Sequence, residues 1–127
     1  MDYLQLTPFD RTLYLDSDTM ICTPIDDVFD LLDRFDIALA HAHSRNRKRT
    51  LKRWTQDLPR SFPQFNGGVI AYRSRPQVLE LLDEWRQCFH SEGFKKDQVR
   101  LRELLWKSDL RITMLPRSTT SAIRSTS

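Results

Sequence analysis

Short apolar runs of strand-forming residues constrain the fold of this chain more than any other feature. Thr12 to Leu15 reads TLYL, Ile37 to Ala42 reads IALAHA and Val69 to Tyr72 reads VIAY. Runs this short, bounded by polar or turn-forming residues, are what buried strands look like in sequence. Stretches with helical spacing separate them. Asp26 to Phe35 (DDVFDLLDRF) sets Val28, Phe29, Leu31, Leu32 and Phe35 on a helical period, after a Thr23-Pro24 start signal. Its early acids suit the positive end of a helix. Ser74 can cap a second helix with Pro76 in its first turn, carrying an apolar stripe of Val78, Leu81, Leu82, Trp85, Cys88 and Phe89 until Gly93. Asp97 to Trp106 predicts a third helix with Leu101, Leu104 and Leu105 inward, and Arg111 to Leu115 a fourth strand. Trp85 and Trp106 both fall on apolar helix faces and are expected in the core. Strands alternating with helices predict an α/β sandwich around a largely buried sheet.

The chain has 127 residues, enough for one domain with a real core, and its 39% hydrophobic and 29% charged residues suit a globular protein. No apolar run is long enough for a transmembrane segment, and MDYLQLTPFDR lacks the pattern of a signal peptide. Cys22 and Cys88 form neither a disulfide framework nor a zinc-type pair, so a reducing, cytoplasmic setting is expected. The net charge of +3 is unevenly spread. Asp26, Asp27, Asp30, Asp33 and Asp36 are followed by Arg45, Arg47, Lys48, Arg49, Lys52 and Arg53. This basic run lacks interleaved aromatics apart from Trp54. It reads as a solvated or phosphate-attracting loop, and no nucleic-acid partner is expected. It belongs to a long excursion over residues 44–65, with a short helix expected around Leu51 to Trp54. From Arg117 the chain reads RSTTSAIRSTS, seven of eleven residues being Ser or Thr, and disorder is expected over 117–127.

Three local patterns carry candidate chemistry. In Leu13-Tyr14-Leu15-Asp16-Ser17-Asp18-Thr19, two carboxylates two residues apart follow a buried strand. They can hold a hard divalent cation, or simply end a strand in a solvated loop. Phe65-Asn66-Gly67-Gly68-Val69-Ile70 offers paired glycines that let a backbone approach a ligand, or a tight turn before a strand. Asp97-Gln98 at a helix start is a cap, or a carboxylate aimed at a hydroxyl. His41 and His43 lie on one side of a strand and form a lesser metal candidate.

Taken together, LYLDSDT, FNGGVIAYR and a helix opening on Asp-Gln resemble the GT-A glycosyltransferases. The likeness is nearest to the glycogenin-like and galactosyltransferase-like group and to bacterial nucleotide-diphospho-sugar transferases. TPFDRTLYLDSDT at Thr7 to Thr19 and DDVFDLLDRFDIALAHA carry it further, and it runs from about Leu4 to Pro116. The resemblance implies a Rossmann-like α/β/α sandwich with a mixed sheet, ligands lying past the strand ends. It implies a Mn²⁺ or Mg²⁺ ion, with Asp18 as direct ligand and Asp16 touching the donor's ribose or sharing the metal. Ser17 and Gln98 join the nucleotide-sugar-binding set. Asn66, Gly67 and Gly68 would line the sugar pocket, and Asp97 would be the catalytic carboxylate near the reacting hydroxyl. The implied donor is a nucleoside-diphosphate sugar, with UDP favoured; the acceptor, whether sugar, lipid or protein, is open.

Measured against that group, residues 1–116 are expected to be a partial domain, without the N-terminal nucleotide-binding half that the resemblance implies. A C-terminal metal-binding histidine is expected in the group, and none follows Pro116. Two other readings compete. A phosphohydrolase of the haloacid dehalogenase type also places D-x-D after an apolar strand, but wants Thr or Val where Met20 stands, and does not account for FNGGV. A non-catalytic remnant would follow from the missing half.

Overall fold

The computed structural model describes residues 6–16, 19–41, 58, 59, 61–92 and 97–125. Its centre is a four-stranded mixed sheet built from β1 (Arg11–Leu15), β3 (Ile37–His41), β4 (Phe65–Arg73) and β5 (Ile112–Met114), in the order β1-β4-β3-β5. β4 runs antiparallel to both β1 and β3, while β3 and β5 are parallel. A separate two-stranded ribbon pairs β2 (Thr19–Ile21) with β6 (Ile123–Ser125). The helices are α1 (Val28–Leu31), α2 (Pro76–Glu92), α3 (Asp97–Lys107) and α4 (Arg117–Ser121). The chain is therefore α/β, as the alternation of elements predicts, and its sheet is mixed, as the resemblance implies.

The apolar runs are buried because both sheet faces are covered. Successive strand residues point to opposite faces, so each run feeds two cores. Ile37, Leu39, Ile70 and Tyr72 meet Val78, Leu82 and Trp85 of α2 and Leu101 and Leu105 of α3. Ala38, Ala40, Val69 and Ala71 meet Ile25, Val28, Leu32, Leu115 and Ala122 on the other side. Large side chains thus face the long helices. Small ones, Ala38, Ala40 and Ala71 among them, face α1 and the turn into β6.

Asp36 closes the end of the sheet where β3 begins. Its backbone N–H donates to the Arg111 carbonyl (2.8 Å), and its carbonyl accepts from Arg73 N–H (3.0 Å). Its carboxylate accepts from the Arg111 amide (2.9 Å) and from Arg75 Nη1 (2.9 Å). Burial pushes the Asp36 carboxyl up, but the Arg111 amide and the Arg75 guanidinium outweigh it and hold the group below its usual range. A depressed native pKa stabilises the fold above the unfolded carboxylate value, and that contribution is lost as pH falls through the native one. Asp36→Asn is expected to cost about 2 kcal/mol at neutral pH. In urea titrations from pH 7 to pH 3, the curves of the wild type and the Asp36→Asn variant should converge at the acid end.

Several expectations need correction. The helix expected over Asp26 to Phe35 is an α-helix only from Val28 to Leu31, flanked by turns. The amides of Leu32, Asp33 and Arg34 bond three residues back, and Arg11 takes up the Phe29 carbonyl (3.1 Å) and pairs with Asp33. Ser74 does not cap α2; its hydroxyl donates to the Phe9 carbonyl and its amide to that of Asp10. Trp106 is 45% exposed, whereas Trp85 is buried as expected. Arg102, one turn before Trp106, is buried instead, its guanidinium donating to the carbonyls of Pro59 (2.7 Å) and Phe62 (3.0 Å).

The Ser/Thr-rich tail, expected to be disordered, is folded over residues 117–125. Thr120 and Ser121 hydroxyls bond the carbonyls of Arg117 and Ser118 within α4. Thr119 and Ala122 are buried, and the Ala122 carbonyl accepts from Cys22 N–H at 2.7 Å. Ala122 and Ile123 supply the apolar contact that the surrounding composition hides. The expected helix at Leu51 to Trp54, the basic run and His43 lie outside the described residues.

Candidate functional site

The two strongest sequence patterns meet at one end of the sheet. β1 ends at Leu15, opposite Val69 of β4, and the ladder continues one step as Asp16 N–H donates to the Gly68 carbonyl at 2.9 Å. The Asp16 carbonyl then accepts from both the amide (3.1 Å) and the hydroxyl (2.6 Å) of Thr19, which brings the chain straight back into β2. Asp16 is exposed at this strand end. Ser17 and Asp18 lie outside the described residues.

Asn66, Gly67 and Gly68 are not a turn before the strand. They belong to β4, which begins at Phe65. Their irregularity lies in the pairing with β3, where Leu39 is opposite Ile70 but Ala40 is opposite Asn66. Residues 67–69 therefore bulge away from β3, and a bulge leaves backbone groups without ladder partners. The Asn66 side chain makes up for one of them, its Oδ1 accepting from Gly68 N–H at 2.9 Å.

Neither glycine adopts a left-handed φ; each is required by what lies beside it. A Cβ on Gly67 would stand 2.7 and 2.8 Å from the Cη2 and Cζ2 atoms of Trp85, and 3.9 Å from Leu101 Cδ2. A Cβ on Gly68 would overlap Asp16 Oδ2 and stand 3.3 Å from Asn66 Oδ1. Gly67 thus makes room for the core, and Gly68 makes room for the Asp16 carboxylate. The bulge seats the first acid of the D-x-D against the second motif.

The tyrosine of the TLYL run completes the cluster. Tyr14 lies two residues before Asp16, hence on the same face of the strand. Its ring packs on the α2/α3 core, and its hydroxyl donates to Asp16 Oδ1 at 3.1 Å. The period-two spacing is visible in the sequence, although the residue reads there only as part of an apolar strand.

Asp97 and Gln98 open α3, as expected. Leu101, one turn further on, is the α3 residue that reaches Gly67, so the first half of this helix runs beside the bulge. His41 ends β3 opposite Phe65 and is exposed. Among the described residues, no three His, Cys, Asp or Glu side chains group closely enough to hold a metal ion.

The structure accordingly brings Asp16, Asn66 and Gly68 together, with Gly67 one step behind them. An exposed carboxylate and a side-chain amide sit side by side on hydrogen-bonded backbone at the strand end. Such an arrangement can offer hard oxygen ligation and hydrogen bonds to a polyhydroxylated ligand. No family model matches the chain, and no curated protein or solved structure matches it either.

Proposed function

We propose that this chain is a segment of a metal-dependent GT-A glycosyltransferase that transfers a sugar from a nucleoside-diphosphate sugar, UDP-linked by preference, to an acceptor hydroxyl. The observation that carries the reading is the Asp16 carboxylate seated against Gly68 and beside Asn66. Two motifs far apart in sequence, each with an ordinary explanation when taken alone, converge on one strand end. The mixed sheet covered on both faces is compatible with the Rossmann-like sandwich that the resemblance implies.

In this reading Asp16 and Asp18 hold Mn²⁺ or Mg²⁺. The fit rests on the donor set, since aspartate carboxylate oxygens, exposed at Asp16, are what such hard cations take. The bound ion would supply Lewis-acid stabilisation of the departing diphosphate. Asn66 directs its amide toward sugar hydroxyls, with its carbonyl oxygen occupied by Gly68 N–H. Gln98 and Ser17 contribute further polar contacts, and Asp97 at the start of α3 approaches the reacting hydroxyl.

Calorimetric titration of the chain with UDP and with GDP, with and without Mn²⁺, tests the proposal. UDP binding that requires Mn²⁺ and is lost in Asp18→Asn is the expected result. A cooperatively folded chain that binds neither nucleotide in the presence of Mn²⁺ would overturn it for these residues.

A further inference from the structure

We infer that Tyr14 is a positioning residue for Asp16, its hydroxyl selecting the one carboxylate orientation that the strand end presents. The effect of Tyr14 on ligand binding rests on the glycosyltransferase reading; its effect on the Asp16 rotamer does not.

Asp16 is exposed at the strand end. Among the described residues, two contacts act on its side chain. Oδ2 lies against Gly68, in the space a Cβ would fill. Oδ1 accepts from Tyr14 Oη at 3.1 Å. The Tyr14 ring is itself held by the α2/α3 core, so the hydroxyl is delivered from a rigid base. A carboxylate is acceptor-only, which fixes the tyrosine as donor. Gly68 permits the orientation and Tyr14 enforces it. A group held ready in one geometry spares the ligand the entropy of ordering it.

The test removes the hydroxyl and keeps the ring. In Tyr14→Phe, three-bond couplings across the Asp16 Cα–Cβ bond should change from one rotamer to an average. The melting temperature should stay near wild type. The Kd for UDP in saturating Mn²⁺ should rise on the order of fivefold, the loss expected for one hydrogen bond. Tyr14→Leu serves as the packing control and should lower the melting temperature as well. Wild-type couplings in Tyr14→Phe would overturn the inference, and averaged couplings with unchanged UDP affinity would overturn its bearing on ligand binding. If the couplings average and not even the wild-type chain binds UDP, Tyr14 still positions Asp16, and it is the glycosyltransferase reading that falls.

Discussion

Gly68→Ala is expected to weaken the proposed Mn²⁺-dependent UDP binding roughly a hundredfold while leaving the chain folded. The added methyl would overlap Asp16 Oδ2 and sit 2.9 Å from its Cγ, well inside any tolerable contact. What must move is the end of an exposed side chain, so relief is cheap in stability, at about 1 kcal/mol or less. Relief is costly at the site. The carboxylate has to leave the strand end it shares with Asn66, and Tyr14 would lose its acceptor. Displacements near 1 Å cost roughly a hundredfold where geometry is the contribution, and a loss of that order is expected in UDP affinity. Calorimetry and thermal melts on the same samples separate the two effects. Asp16→Asn added to Gly68→Ala should cost little more, because both act through one carboxylate. Near-wild-type binding in Gly68→Ala would show that Asp16 takes no part in holding the ligand.

Legibility from sequence follows burial. TLYL, IALAHA and VIAY are readable as strands because both sheet faces are covered, and nothing polar has to interrupt the runs. The stripe along α2 is readable because one face carries Val78, Leu82 and Trp85 into the core. The failures share a cause, in that the deciding neighbour is distant in the chain. Asn-Gly-Gly has the composition of a turn and of a bulge alike, and only Trp85 on one side and Asp16 on the other tell them apart. Arg102 is buried because the carbonyls of Pro59 and Phe62 receive it, and Trp106 stands exposed against Phe62 (5.0 Å between ring centroids). The tail is ordered over 117–125 by pairing with β2, a three-residue strand too short to announce itself. At the site, the acid pair and the FNGG run are legible as residue types. Their meeting through the bulge is not, and neither is the Tyr14 hydroxyl bond that goes with it.

The neighbouring glycine should respond in the opposite way. In Gly67→Ala the new methyl meets the six-membered ring of Trp85 at 2.7 and 2.8 Å, and that indole is only 1% exposed, part of the core cluster that also holds Leu101, Leu82 and Phe65. A packed ring cannot swing aside as an exposed carboxylate can. Overpacking of this kind costs typically 1–3 kcal/mol, and the upper part of that range is expected in urea unfolding. Trp85→Phe removes the two clashing carbons at the cost of a cavity, and alone should destabilise by about 1–2 kcal/mol. The double variant decides the cause. If the glycine is there to admit the indole, Gly67→Ala in the Trp85→Phe background should be close to neutral, giving a coupling of about 2 kcal/mol between the sites. Additive losses would instead place the need for Gly67 in the bulged backbone itself. The pair of glycines would then divide their work differently, Gly68 still serving the carboxylate but Gly67 serving the register shift that carries Asn66 to the strand end.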